Sequence, residues 1–246
     1  MSEIQIFVGT SGWYYSWNPE LSFEWYAKNS GLNAIELNSS FYRFPFPNQV
    51  KSWALKTQEI NPELRWSVKV NRFITHVFKF SEKALSTWKK FETLFEPLNE
   101  SIDFYLFQLP PNLRPSYASK LEKFIRKTNL KERFALEVRN LEWFSGKWIK
   151  WAKDLEITWV SIDAPDYTNF PREIYCTSGM VYERMHGRSE WYSHDYTRKE
   201  LTEVARRIVR TKPKKAFILF NNNHAMLTNG RLIRNILKEL TAKNNA

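Results

Sequence analysis

The sequence is poor in the residues that mark several common protein classes. It holds one cysteine, Cys176, among 246 residues, so an internal disulfide is excluded, and no Cys or His stands at zinc-motif spacing from it. Cys176 reads as a plain packed or loop thiol. The four histidines, His76, His186, His194 and His224, form neither a His-x-x-x-His nor a Glu-x-x-His pattern, which excludes a histidine-rich multi-zinc centre. Seven glycines supply no Walker loop and no G-x-G-x-x-G fingerprint after the first apolar run. No apolar run approaches the roughly 20 residues needed to span a bilayer. The start, Met1 to Val8, lacks the basic flank, long apolar stretch and small-residue cleavage site of a secretory signal. The expectation is a cytoplasmic protein without a membrane partner.

What is present is a globular composition with a positive bias. Hydrophobic residues make up 43% and charged residues 26%, which argues against a disordered chain. A net charge of +11 favours anionic partners, either small phosphorylated or carboxylated metabolites or nucleic acid. Lysines and arginines are nevertheless scattered through segments such as Lys120 to Lys131 and Arg206 to Lys215, where the outer faces of helices would carry them anyway. Eleven tryptophans provide flat faces for sugars or bases, though most aromatics fill cores.

Short runs rich in β-branched and aromatic residues recur along the chain: Ile4 to Gly9, Asn33 to Ser39, Arg65 to Asn71, Asp103 to Leu109, Phe134 to Asn140, Ile157 to Asp163, Met180 to His186 and Ala216 to Asn222. Their spacing of about 23 to 38 residues is the rhythm of βα units. Amphipathic segments lie between them at Phe23 to Asn29, Pro47 to Lys56, Ser81 to Leu94, Ser116 to Thr128, Lys147 to Asp154, Thr197 to Thr211 and Met226 to Leu240. Ser81, Ser116 and Asp195 suit helix N-caps, and Pro115 and Pro213 mark turns. No linker or low-complexity tract divides residues 1–246. The reading is one α/β domain, a (β/α)₈ TIM-type barrel, preferred to an open doubly wound sheet by strand number and the missing glycine fingerprint.

In such a barrel alternate strand residues point inward, and the C-terminal strand ends form the mouth. With apolar positions given to the helix side, the inward sets become Ala34, Glu36 and Asn38; Ser67, Lys69 and Asn71; Ala135, Glu137 and Arg139; Ser161 and Asp163; and Tyr182, Arg184 and His186. Gln108 ends the fourth strand, and Asn221, Asn222 and Asn223 end the eighth. Glu36, Lys69, Glu137, Arg139, Asp163, Arg184 and His186 should therefore converge on one mouth. Buried charges are costly unless paired, and a purely structural interior has little need of so many.

Several chemistries fit this set. Glu36, Glu137 and Asp163 suit general acid and base roles, with His186 as proton shuttle. Lys69, Arg139 and Arg184 suit a phosphate or carboxylate. No metal site is assigned and no cofactor is required, although three carboxylates and a histidine are also the ligand types of Mg²⁺ or Mn²⁺. Gly9-Thr10-Ser11-Gly12 offers backbone N–H groups to an anion. The stretch Gly187 to His194 can close over the mouth with Trp191 or Tyr192.

At these residues the sequence resembles the YecE-like family, also called domain of unknown function seventy-two. The matching segments are Gly9-Thr10-Ser11-Gly12-Trp13 with Trp17, Glu36 to Arg43, Ser67-Val68-Lys69 followed by Thr75-His76, Phe107-Gln108-Leu109-Pro110-Pro111, Glu137-Val138-Arg139, Arg184-Met185-His186-Gly187 and Phe220-Asn221-Asn222. The resemblance implies a barrel with a common pocket and no particular reaction. The family is similar in overall shape to barrel endonucleases and sugar isomerases, but this chain lacks their histidine-rich metal ligands.

The combined expectation is an enzyme of the hydrolase, lyase or isomerase kind acting on a small anionic substrate. Glu36, Glu137, Asp163 and His186 form its catalytic set. Asn38, Tyr42, Lys69, Gln108, Arg139, Arg184, Asn221 and Asn222 hold the substrate. The alternatives are a nucleic-acid-binding or nucleic-acid-processing protein and a non-catalytic ligand-binding barrel. A catalytic Glu137 kept at a cost to stability further implies that Glu137→Gln leaves the melting temperature unchanged or raised.

Overall fold

The computed structural model describes residues 4–244. Eight parallel strands close into a barrel in chain order: β1 (Gln5–Thr10), β2 (Ala34–Leu37), β3 (Arg65–Lys69), β4 (Ile102–Gln108), β5 (Phe134–Glu137), β6 (Thr158–Asp163), β7 (Met180–Met185) and β8 (Lys215–Phe220). The ring is closed by β1 against β8, in register from Gln5 opposite Lys215 to Thr10 opposite Phe220. Helices α1 (Phe23–Asn29), α2 (Pro47–Ile60), α3 (Glu82–Leu94), α4 (Ala118–Thr128), α5 (Gly146–Asp154), α6 (Arg198–Arg210) and α7 (Met226–Asn244) cover the outside. Among the described residues no helix is long and apolar enough to cross a membrane.

Local chemistry explains the boundaries. Ser81 caps α3 as the sequence suggests, its Oγ accepting from the Ala84 N–H. At α6 the cap is Thr197 in a reciprocal box with Glu200. Asp195 does not cap, because its carboxylate accepts from Asn229 on α7. Ser116 lies inside a 3₁₀ turn, Pro115–Tyr117, so α4 starts later and without a side-chain cap. Gly9 is required by close approach of β1 to β2: an added Cβ would stand 2.2 Å from the Ala34 carbonyl oxygen.

The core has two layers. Inside the barrel, Phe7 stacks on Phe217 with ring centroids 4.6 Å apart, and Phe104 meets Phe217 edge-on. Ala34, Leu106, Ala135, Val160, Ile162, Tyr182 and Leu219 fill the levels above. At the N-terminal end Asp103 joins three strands, accepting from Arg65 of β3 at 2.5 Å and from Lys215 of β8 at 3.1 Å. Between barrel and helices, Trp66, Trp88, Trp143 and Trp159 are fully buried, and six more tryptophans pack against that layer. Trp191 alone of the eleven packs instead with the barrel interior.

One strand departs from the expected phase. On β6, Val160 and Ile162 fill the interior, so Ser161 and Asp163 face outward. The physical reason lies in the chain beyond the strand. No α-helix comes after β6; a 3₁₀ turn, Asp166–Thr168, leads into irregular chain as far as β7. That covering chain packs Ile174, Tyr175 and Cys176 on the core but also brings backbone groups that need partners, and polar side chains on β6 and on the covering chain satisfy one another's backbone. Ser161 Oγ accepts from the Tyr175 N–H, and Thr177 accepts from the Trp159 N–H.

Candidate functional site

The polar centre is assembled by the C-terminal ends of β2, β3, β5 and β7. Glu36, Glu137, Arg184 and His186 are fully buried there. Arg184 donates through Nε and Nη2 to the two oxygens of Glu36, at 2.9 and 2.6 Å, and through Nη1 to Glu137 at 2.5 Å. One guanidinium thus bridges β2 to β5 with three N–H···O bonds. Glu36 also accepts from Ser11 Oγ at 2.5 Å, from Asn38 Nδ2 at 3.0 Å and from the Tyr182 hydroxyl. The second oxygen of Glu137 accepts from Arg139.

Electrostatics follow from these contacts. Burial alone would raise the carboxyl pKa of Glu137, but Arg139, Arg184 and Lys69 outweigh it and hold it at about 2. Glu36 is likewise held below the usual carboxylate range, burial being outweighed by Arg184, Ser11 and Tyr182. Both glutamates are therefore ionised and fully engaged near neutral pH.

His186 is pushed well below the ordinary imidazole value, first by burial and then by Arg184, Arg139 and Lys69. Arg139 Nη2 lies 3.1 Å from its Nε2 and can only donate, so that nitrogen accepts and the proton sits on Nδ1. The Asn221 amide, 3.4 Å from Nδ1, then serves best with its carbonyl oxygen toward the ring. A neutral, hydrogen-bonded imidazole is a positioning group here rather than a proton shuttle.

Lys69 differs from its neighbours. Half-buried at the end of β3, it forms no ion pair within 4.0 Å among the described residues, and its Nζ stands 4.5 Å from the centre of the Phe41 ring. Burial lowers its pKa to about 8, helped by Arg184 and Arg139 and opposed by Glu137 and Glu36. His76 meets the same Phe41 ring edge-on, with centroids 5.0 Å apart, and is lowered to about 4 by burial and by the charges of Lys69 and Arg72.

The remaining anticipated residues divide. Gln108 follows the inward phase of Phe104 and Leu106 and is half-buried at the rim. Asn38 Oδ1 is buried without a protein partner. Asp163 is not in the centre: it faces outward to Arg188, at 2.9 Å, and to the Tyr196 hydroxyl, at 3.0 Å. Asn222 also turns away, its amide tying the His194 carbonyl to Asn229 of α7. Tyr42 is 69% exposed and packs edge-on with Phe41. The Gly9–Gly12 loop does not present an N–H nest: Thr10 and Ser11 donate to Tyr26 and to the Phe220 carbonyl, and Ser11 Oγ serves Glu36 instead.

Sequence reasoning passed over Ser11, Tyr182 and His76 as site members. Phase alone put Tyr182 inside, and only the three-dimensional arrangement brings its hydroxyl to Glu36. Trp191 closes one side, stacked 4.8 Å from the Arg139 guanidinium and edge-on to His186. Gly187, at φ +111°, permits the turn that brings it there. A divalent ion does not suit this donor set, because both carboxylates already accept from guanidinium groups. Among the described residues no three His, Cys, Asp or Glu side chains converge as metal ligands.

Comparison with known proteins agrees with this geometry at the level of fold. A DUF72 family protein from Enterococcus faecalis V583 superposes with a TM-score of 0.79 at 20% identity, covering 97% of this chain and 99% of that one. A DUF72 family protein from Thermotoga maritima MSB8 gives 0.74 at 22% identity, with the same coverage. A methyltransferase from Methanosarcina mazei shares the fold more loosely, with a TM-score of 0.55 at 12% identity over 98% of this chain and 95% of that one. A search of curated proteins returns no match. The family model described as "Protein of unknown function DUF72" matches residues 7–246, and the chain belongs to that family.

Proposed function

We propose that the barrel binds a small phosphate- or carboxylate-bearing substrate at its C-terminal mouth and performs proton-transfer chemistry on it, with Lys69 as the titrating group. The observation that carries this reading is the charge pattern. Glu36 and Glu137 are matched by Arg184 and Arg139, His186 is neutral, and the half-buried Lys69 ammonium is left without a carboxylate partner. A buried cation without a partner costs stability unless an anion joins it. Arg139 supplies a second, directional contact, and Asn38 Oδ1 offers an acceptor to a substrate hydroxyl. Glu36 and Glu137 act through the guanidiniums they hold rather than on substrate.

The test is calorimetric titration with inorganic phosphate and L-lactate. Binding should weaken as pH rises through about 8, where the ammonium is lost, and should vanish in Lys69→Met. Binding that is indifferent to both pH and Lys69 would remove the reading. A nucleic-acid role has one observation in its favour, an open hollow on α6 lined by Arg198, Arg206, Arg207 and Arg210. Phosphate contacts there would make affinity fall steeply with salt, and oligonucleotide binding that is weak and flat in salt would exclude it.

A further inference from the structure

Taking the mouth as the anion site proposed above, we infer that Lys69 Nζ is a nucleophile that captures the carbonyl carbon of a small anionic aldehyde or ketone as an imine. Four observations point to it. The amine belongs to a half-buried residue at the inward C-terminal end of a barrel strand. No carboxylate lies within 4.0 Å of it among the described residues, so its lone pair is free once the proton leaves. The Phe41 ring covers one side at 4.5 Å and excludes water there. Two guanidiniums, Arg139 and Arg184, lower the amine further through their charge, and Arg139, held by Glu137 and stacked on Trp191, is the side chain this inference assigns to the anionic group of the carbonyl compound.

Burial and neighbouring cations are the two recognised means by which a protein makes a lysine nucleophilic near neutral pH. A merely structural lysine would have no need of this arrangement, since an apolar side chain against Phe41 would avoid the desolvation. Lowering the amine from 10.5 to about 8 raises its neutral fraction at pH 7 on the order of a hundredfold over an exposed lysine. The charged groups that set this balance are Glu36 from β2, Glu137 and Arg139 from β5 and its continuation, and Arg184 from β7; His76, beyond β3, is itself lowered by the Lys69 charge.

The step balances without any redox partner. The neutral amine forms the N–C bond as the carbonyl π electrons move to oxygen. A proton passes from nitrogen to that oxygen, giving a carbinolamine. A second proton, from solvent, makes the hydroxyl a leaving water, and the C–O bond breaks to leave a protonated imine. Asn38 Oδ1, a buried acceptor without a protein partner, is available to the carbinolamine hydroxyl. Hydrolysis reverses every step and frees Lys69.

The experiment is reductive trapping on the intact protein. Pyruvate or dihydroxyacetone phosphate is added with sodium borohydride at pH 7, and adducts are located by peptide mass mapping. L-Lactate and glycerol 3-phosphate, the reduced counterparts without a carbonyl, are titrated by calorimetry alongside. The expected result is one dominant adduct on Lys69, formed at least tenfold faster than on exposed lysines, suppressed by the reduced counterpart and absent from Lys69→Arg. If a reduced counterpart binds but neither carbonyl compound labels Lys69 ahead of surface lysines, imine formation is refuted while the anion site stands. If neither counterpart binds and no selective adduct forms, the anion site falls with it.

Discussion

Replacing Glu137 by glutamine removes one negative charge and little volume from the buried centre, so it isolates electrostatics. In the native protein Glu137 accepts from Arg184 at 2.5 Å and from Arg139, and it faces Lys69. In the variant three cations remain against Glu36 alone, and the new amide N–H₂ must point at one guanidinium that can only donate. The folded carboxyl pKa of about 2, against an ordinary 4.5, corresponds to about 3 kcal/mol of stabilisation of the charged form. Breaking a buried ion pair costs about 3 to 5 kcal/mol, so the two arguments agree. For a chain of this length that is a fall of about 6 to 12 °C in melting temperature. The sign with pH is fixed by the depressed pKa: the contribution is complete above the unfolded value and is lost as pH falls toward 2. The gap between wild type and variant should therefore be constant through neutral pH and close in acid. Thermal unfolding by circular dichroism at several pH values measures it. A variant as stable as wild type at pH 7, or more stable, would refute this reasoning and return Glu137 to the class of carboxylates kept at a cost to stability.

Lys69→Met should stabilise the protein at pH 7 by about 1 to 3 kcal/mol, read as a raised melting temperature, while abolishing anion binding. Because the folded amine pKa is lowered, wild-type stability should itself climb between pH 8 and the ordinary lysine range, and a flat profile there would contradict the assigned shift. Asp163→Asn should destabilise the protein by about 3 kcal/mol through loss of the Arg188 pair yet leave ligand affinity unchanged; altered affinity would return Asp163 to the site. Gly187→Ala should cost at least about 2 kcal/mol, since φ is +111° and the new Cβ would lie 2.4 Å from the Glu190 carbonyl oxygen. Displacement of Trp191 from Arg139 should accompany it as a change in tryptophan fluorescence, and an unchanged spectrum and stability would count against the loop geometry.

The architecture was legible in the sequence because it rests on periodicity. Eight β-branched runs at βα spacing, with no glycine fingerprint and too few histidines for a zinc centre, are local properties. So is the alternation that sent Glu36, Lys69, Glu137 and Arg184 inward. β6 escaped this logic because phase was judged by polarity. Val160 and Ile162 could serve either face, and what covers the outer face, a helix or irregular chain, is settled at long range. Asp195 and Ser116 missed their cap positions for a similar reason: Asp195 is claimed by Asn229, and Ser116 falls within a turn set by Pro115. Strand alternation in the sequence accounts for Glu36, Lys69, Glu137, Arg139 and Arg184 meeting at one end of the barrel, but it wrongly added Asp163. Only the tertiary structure decided how they pair: Arg184 reaches both glutamates across the barrel, Arg139 turns back to Glu137 and His186, and Lys69 is left without a carboxylate partner. That partition depends on ångström-scale distances between strands more than 30 residues apart in sequence, and in a low-dielectric interior those distances decide which groups titrate and which are held fixed.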